Sequence, residues 1–224
     1  WAEGFHSNDA RGATNPVDPV PGVVEGTMKE VGLRFERSGL ILTGVYWWSG
    51  IDSELIYVGD AGAVEPNDAS KRQGYELTAF YKPNRWLAVD AVWTGSDARY
   101  VGLPEGEDYV PGALESAGEL GVSAIFPEFN AAARLRYLGP HPLIEDNTVR
   151  GESTLLVNLR AAWTPQNLVG FEIYSELLNV FDSKRHDIDY FYETRLPGEL
   201  EPVEGRNSRV VEPRQLRVGI KKTF

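Results

Sequence analysis

The chain contains no cysteine among its 224 residues, which excludes disulfide bridges and metal sites built on thiolates. No apolar run approaches the about 20 residues of a membrane-spanning helix, so insertion as a helix is also excluded. Basic residues are in the minority, with 22 Lys and Arg against 33 Asp and Glu. The resulting net charge of -11 argues against nucleic acid as a partner, because phosphate binding needs clustered Lys and Arg.

Recognised catalytic patterns are absent as well. The sequence has no Gly-x-Ser-x-Gly, His-Glu-x-x-His or phosphate-binding loop pattern. Its three histidines, His6, His141 and His186, all fall in polar segments that we interpret as loops, where lone histidines are usually solvated. We therefore predict that the protein is not an enzyme; the alternative is a Ser, His and Asp site assembled across loops.

One acidic segment, residues 60–68, could hold calcium through Asp60, Glu65 and Asp68. These residues lack the regular ligand spacing of an EF-hand loop. A solvated loop is the favoured interpretation, and no metal or cofactor is predicted.

What the chain does have is alternation with a period of two, seen most clearly in its last stretch, residues 214–224. Leu216, Val218 and Ile220 fall on one side, and Arg217 and Lys221 fall on the other. Seven further segments alternate in the same way: residues 28–36, 75–81, 87–96, 119–126, 133–137, 154–164 and 169–176. With the extended run after residue 39, whose facing the sequence leaves open, we predict about nine antiparallel strands and no helix. Residues 1–27 show no sustained period and are predicted to be loop.

The connections between these strands alternate in length. Short turns lie near Ser38, Pro83, Pro127 and Pro165. Long acidic or Gly- and Pro-bearing loops lie near Asp60, Gly102, Gly139 and Ser183. All long loops then share one end of the sheet, which is typical of a transmembrane β-barrel with short periplasmic turns and long outer loops.

Charged side chains fall on the face opposite the apolar one. That face carries Glu30, Arg34, Glu76, Asp90, Glu119, Arg134, Arg136, Arg160, Glu172, Arg217 and Lys221. We predict that it lines a wet lumen, with Arg134, Arg136, Arg160, Glu172 and Arg217 as its main polar residues.

Aromatic residues gather at strand ends near the short turns, as in an interfacial girdle: Tyr81, Trp86, Phe126, Trp163 and Phe224. The alternative is a soluble antiparallel sheet with one solvated face, which explains the alternation but neither the loop asymmetry nor the girdle.

Residues 178–182, Leu-Asn-Val-Phe-Asp, resemble the Asn-Leu-Phe-Asp signature of TonB-dependent outer-membrane receptors, with Val180 where Leu is usual. Other segments resemble blocks of one proteobacterial branch of that family: residues 5–12, 97–100, 136–140, 189–198 and 212–214. Together with the terminal Phe224, the resemblance covers essentially the whole chain.

The resemblance implies a barrel of about 22 strands preceded by a plug domain and a short TonB box. Neither the plug domain nor the TonB box is found in these 224 residues. An odd number of strands does not close a bacterial barrel of the usual kind, so we expect the carboxy-terminal strands of a larger barrel. In this division residues 1–27 are an extracellular loop segment and residues 28–224 are barrel strands, with Phe224 as the signal read by the barrel-assembly machinery.

The function implied by the resemblance is import, across the bacterial outer membrane, of a scarce nutrient such as a siderophore, cobalamin or a similar large solute. The implied partners are outer-membrane lipid, the TonB complex through the plug region, the assembly machinery through the last strand, and a small-molecule or chelate substrate. Two alternatives stay open: a passive diffusion porin, which needs no plug, and a soluble β-rich binding module.

Overall fold

The computed structural model describes residues 1–7, 13–14, 16, 21–58 and 63–223 of the chain. All its regular elements are β-strands, and every pairing between them is antiparallel. The predicted all-β antiparallel class is confirmed. In the described part of the chain, no helix has the length and apolar character needed to cross a membrane.

Ten strands form one sheet in which each strand pairs with the next along the chain. In spatial order they are β1 (Ala2–Ser7), β2 (Val23–Arg37), β3 (Leu40–Ile51), β6 (Ser70–Tyr81), β7 (Leu87–Tyr100), β8 (Ser116–Ile125), β9 (Phe129–Leu138), β12 (Thr154–Trp163), β13 (Phe171–Leu178) and β16 (Gln215–Lys222). Three smaller hairpins lie within the long connections: β4 (Glu54–Val58) with β5 (Ala63–Asn67), β10 (His141–Pro142) with β11 (Arg150–Gly151), and β14 (His186–Thr194) with β15 (Val203–Val210). Because the sheet is an antiparallel meander, all three hairpins stand at the same end of it.

The first strand is absent from the sequence-based prediction, which assigned residues 1–27 to a loop. In the structure, β1 pairs with the start of β2, from Ala2 opposite Met28 to Ser7 opposite Val23. Glycines at positions 4 and 26 weaken the alternation of apolar and polar residues in β1 and at the start of β2. The two strands form because they pair with each other, although the local sequence does not indicate a strand. The main sheet of the described residues has ten strands, one more than the about nine predicted, so the expectation based on an odd number of strands does not apply.

The register sorts side chains onto two faces. Across seven strands, one row of paired residues runs Phe35, Leu42, Ala79, Ala91, Leu120, Leu135 and Val157. We call the face that carries this row the apolar face and the opposite one the polar face. Large side chains on the apolar face are open to the surroundings, with Leu33 82% and Leu216 70% exposed. An uncovered apolar surface of this extent indicates an apolar environment or a partner.

Strand β3, whose facing the sequence left open, is oriented by its neighbours. Tyr46 lies opposite Tyr75 on the apolar face, whereas Trp47 lies opposite Gly74 on the polar face. A Cβ on Gly74 would lie 2.7 Å from Cζ2 of Trp47. The indole therefore occupies the space that a side chain at position 74 would need.

Aromatic side chains border the apolar face at both ends. At the short-turn end, Trp86 and Phe126 stack with ring centroids 5.9 Å apart. A second belt, which the sequence analysis missed, lies toward the long connections, where Tyr46 and Trp48 meet edge to face at 4.5 Å.

The two belts are separated by a distance that matches a bilayer. On β9 the belts are marked by Phe129 and Tyr137, and the eight residue steps from one to the other span about 27 Å along the strand. A strand tilt of about 40° reduces this to about 21 Å, close to the about 25 Å apolar band of membrane barrels.

The long connection between β13 and β16 is closed at its base by Asn179. This residue adopts a left-handed conformation, with φ of 47°, and is 5% exposed. Its side-chain amide donates to the carbonyls of Ser183 (3.0 Å) and Glu212 (2.9 Å), and its Oδ1 accepts from the Ser183 N-H (2.9 Å). Asparagine tolerates this backbone conformation and supplies both donor and acceptor, so it joins the entry and the exit of the loop.

Asp182 has a similar role three residues later. It too is left-handed, with φ of 51°, and its carboxylate accepts a hydrogen bond from the Arg214 N-H at 3.0 Å. That bond lowers the pKa of Asp182, with a further contribution from Lys184. The two polar residues of the Leu-Asn-Val-Phe-Asp segment are thus the ones that fasten the loop to the sheet.

Substitution of Val122 by arginine will prevent stable membrane assembly of the full-length protein. Val122 lies on the apolar face between Val89 and Ala133, and a charge near the midplane of a lipid-facing surface costs about 2–4 kcal/mol. Ser123→Arg is the matched control, because Ser123 lies on the polar face between two alanines. The measurement is the amount of heat-modifiable protein in outer-membrane fractions; equal amounts for the two variants would contradict the facing.

Asn179→Ala will loosen the connection between β13 and β16, because several buried hydrogen bonds at about 1–3 kcal/mol each are lost. Asn147→Ala is the control: Asn147 is also left-handed, with φ of 59°, but its amide oxygen serves only the side chain of Arg150. We expect faster proteolysis within residues 183–213 and a lower unfolding temperature for Asn179→Ala alone. Identical behaviour of the two variants would show that backbone conformation, not the hydrogen bonds, is what matters.

Candidate functional site

The register places the five predicted polar-face residues on the same side of neighbouring strands. Arg134 and Arg136 lie on β9, Arg160 on β12, Glu172 on β13 and Arg217 on β16. Directly opposite across the strands stand Glu119 with Arg136, Arg160 with Glu176, Glu172 with Lys221, and Glu176 with Arg217. Opposite charges therefore face each other across the β8–β9, β12–β13 and β13–β16 pairs, whereas the neighbouring strands β9 and β12 are both basic on this face.

Two clusters of ion pairs connect these side chains. In the first, Arg134 bonds to Glu119 and, at 3.1 Å, to Asp90. The Asp90 carboxylate can take this position because residue 121 is a glycine: a Cβ at Gly121 would lie only 2.5 Å from it. In the second cluster, Arg160 contacts Glu172 at 2.9 Å and Glu176 at 3.5 Å.

Arg217 and Arg136 are less engaged. Arg217 bonds to Gln215 at 3.1 Å and approaches Glu212 at 3.8 Å. Arg136 is exposed and makes no ion pair with any described residue. Ion pairs as exposed as the two clusters contribute about 0–1 kcal/mol each, so their main effect is to keep the face polar and hydrated.

The long connections pack against one another at one end of the sheet. In residues 101–115, Tyr109 N-H donates to the Glu145 carbonyl (3.1 Å) and Gly112 N-H to the Pro142 carbonyl (2.8 Å). Residues 139–153 in turn meet the β14–β15 hairpin, where the Arg206 guanidinium donates to the Arg150 carbonyl at 2.6 Å. These contacts join the three connections into one layer, which we call the loop layer.

A buried polar cluster fastens the β4–β5 hairpin to strand β6. Glu54 is 9% exposed, accepts a hydrogen bond from Ser70, and is held by Nη2 of Arg72 at 2.7 Å. Tyr100 is 4% exposed, and its hydroxyl has no hydrogen-bond partner among the described residues. Burial raises the pKa of Tyr100, and the charge of Glu145 adds to this effect, so the phenol stays neutral.

The histidines do not form a nucleophile-and-base pair in the described part of the chain. His186 Nδ1 lies 3.2 Å from Oδ1 of Asp189, and Ser208 Oγ donates to that same oxygen. A triad needs the hydroxyl on the histidine, with the carboxylate on its other side. His141 is buried over Gly151, and the side chain of His6 lies outside the described residues.

Two other predicted features lie largely outside the described residues. Asp60 and the side chain of Glu65 are among the positions not described, so the favoured solvated loop and the calcium alternative both stay untested. No cluster of three or more His, Asp or Glu suited to a metal ion occurs among the side chains that are described. The proposed assembly-signal residue, Phe224, is also outside them.

Sequence reasoning did not find the residues that build the loop layer. Arg99 is held by Asp97 (2.8 Å) and Asp108 (2.9 Å), and its guanidinium lies 3.5 Å from the centre of the Tyr109 ring. The only local signal was the group of acidic residues in the connection of residues 101–115. Their partners come from a strand and cannot be identified without the fold.

No family model matches the chain, and a search of curated proteins returned no match. Solved structures do match. The ferric yersiniabactin uptake receptor FyuA from Yersinia pestis aligns with a TM-score of 0.71 and 16% identity, over 100% of this chain and 34% of that one. The ferric-catecholate import receptor Fiu from E. coli K12 aligns with a TM-score of 0.65 and 16% identity, over 98% and 30%. The copper transporter OprC aligns with a TM-score of 0.67 and 12% identity, over 99% and 37%.

These neighbours are TonB-dependent receptors of the outer membrane, and this chain spans about a third of the length of each of the three. At identities of 12–16% the similarity concerns the fold. The ten-stranded sheet therefore has the fold of part of the barrel of TonB-dependent receptors.

Proposed function

We propose that this chain is the carboxy-terminal barrel portion of a TonB-dependent receptor in the bacterial outer membrane. The observation that carries the proposal is the alignment of the whole chain with receptor barrels, joined to a sheet whose apolar face is uncovered. A soluble protein would expose that face to water, whereas in a barrel it contacts lipid and the polar face lines the lumen.

The substrate class follows from the neighbours' descriptions. FyuA and Fiu are described as receptors for ferric yersiniabactin and ferric catecholates, and OprC as a copper transporter. By analogy, we propose import of a scarce nutrient such as a siderophore, cobalamin or a similar large solute. The loop layer would meet the solute first, and Arg134, Arg136, Arg160, Glu172 and Arg217 would line its path.

The partners belong to the same proposal. The TonB complex would act through a plug region upstream of these residues, outer-membrane lipid would contact the apolar face, and the barrel-assembly machinery would read the last strand and Phe224. No enzymatic role is proposed.

Uptake by the full-length protein should depend on TonB. We expect cells whose only receptor is this protein to accumulate a radiolabelled ferric siderophore or cobalamin, and to lose that uptake when TonB is deleted. A passive porin would instead pass small solutes at the same rate with and without TonB. TonB-independent diffusion would therefore favour the porin and overturn the receptor.

The loop layer should face the outside of the cell. A protease site inserted at Gly106, in the long connection between β7 and β8, should be cut in intact cells. The same site inserted at Arg85, in the short turn between β6 and β7, should be protected until the outer membrane is opened. The reverse pattern would invert the proposed orientation.

A further inference from the structure

The β14–β15 hairpin lies over the loop-side end of the polar face. Thr154, at the start of β12, is on that face opposite Leu138, and it is only 1% exposed. Its hydroxyl donates to the His186 carbonyl at the start of β14. The hairpin therefore covers the end of the polar face that lies next to the loop layer.

Asp187 brings a carboxylate of the hairpin to this end of the face. Arg209, on the neighbouring strand β15, donates to it through Nε at 2.9 Å and also through Nη2. These bonds lower the pKa of Asp187, and the charge of Arg136 on β9 acts in the same direction. The carboxylate thus interacts with two guanidinium groups, one from the hairpin and one from the main sheet.

Arg136 is available to a further anion. It is exposed and makes no ion pair with any described residue. Its neighbour across β8 is Glu119, which is bonded to Arg134, and its neighbour across β12 is Leu156. A guanidinium group presents a planar fork of donors that fits a carboxylate or a phosphate. Movement of Asp187 away from Arg136 would leave that fork open to an oxyanion from outside.

The hairpin can move as one body. Its strands pair with each other from His186 opposite Val210 to Thr194 opposite Val203. Among the described strands, β14 and β15 pack extensively only against each other. At the base, the Val211 N-H donates to the Arg185 carbonyl at 2.9 Å, which keeps the two chains of the hairpin together. Elements with few packed neighbours open at low free-energy cost, so the hairpin can swing about this base and uncover Thr154 and Arg136.

We propose that the β14–β15 hairpin is an autoinhibitory lid, closed by the attraction of Asp187 to Arg136 and opened by an oxyanion of the solute that takes the place of Asp187. This inference rests on the proposed function, which places the path of the solute along the polar face. It adds that the imported solute carries a carboxylate or a phosphate-type group. Such an anion opens the lid because Arg136 binds it better in the open state than in the closed one.

The test measures how often Thr154 is uncovered. Thr154→Cys is introduced into the full-length protein, freed of any other cysteine and folded in detergent, and the rate of its reaction with a water-soluble maleimide is recorded. Sodium pyrophosphate at millimolar concentration is the probe anion, with sodium chloride at the same ionic strength as the reference. We expect pyrophosphate to accelerate labelling several-fold. Heat-modifiable migration on a gel verifies that each variant is folded.

Two variants separate the latch from the integrity of the hairpin. Asp187→Asn should accelerate labelling about tenfold without any anion, since one charge-assisted interaction is lost. Arg209→Gln breaks the same bonds within the hairpin but leaves the Asp187 carboxylate to Arg136, so its labelling should stay slow. Equal acceleration by both variants would overturn the latch.

A further pair of variants tests the anion. Arg136→Gln should label at the same rate with pyrophosphate as with chloride. The matched control, Arg34→Gln, removes a polar-face arginine on β2 and should respond to pyrophosphate as the unaltered protein does. A full response to pyrophosphate in Arg136→Gln would overturn the role of Arg136, and no response in the unaltered protein would overturn the opening by an oxyanion. These measurements need no transport, so their failure is distinct from a failure of TonB-dependent uptake, which would count against the proposed function itself.

Discussion

The structure depends on one continuous ladder of backbone hydrogen bonds across ten strands. In a bilayer, an unpaired N-H or C=O costs several kcal/mol, so strands can cross only when both of their edges are paired. Eight strands of the main sheet meet that condition. β1 pairs only with β2, and β16 only with β13, among the described strands. In the proposed barrel these two edges join further strands, which agrees with a chain that spans about a third of each structural neighbour described above.

Once the ladder is fixed, its register determines the chemistry of each face. One register places Leu120 beside Leu135 on the apolar face and Glu119 beside Arg136 on the polar face. A shift by one residue would move the charges of the polar face to the apolar side. Glycines then adjust the polar face: Gly121 leaves room for Asp90, and at Gly219 a Cβ would collide with the Tyr174 ring. The ion pairs of Arg134 and Arg160 are consequences of this register and not its cause.

The sequence was most informative where alternation was regular. Strand β16 could be predicted because apolar and polar residues alternate from Gln215 to Lys221. β3 could not be oriented, since Trp47 and Trp48 are apolar on both sides and only pairing with β6 distinguishes them. β1 was missed because its stability comes from β2 and not from its own residues. The polar-face residues could be predicted from their odd or even positions along each strand. The partners of Arg99 and the closure of the β13–β16 connection by Asn179 could not be predicted, because they depend on contacts between distant parts of the chain.

The central claim is that the apolar face meets lipid and the polar face meets water. The absence of cysteine makes a direct measurement practical: single cysteines can be placed at successive positions of β12, from Leu155 to Arg160, in the full-length membrane protein. Each is then tested with a water-soluble thiol reagent and with a lipid-soluble quencher of an attached fluorophore. The account predicts a period of two, with positions 155, 157 and 159 quenched from lipid and positions 156, 158 and 160 labelled from water. Uniform labelling from water at all six positions, or the opposite parity, would contradict it.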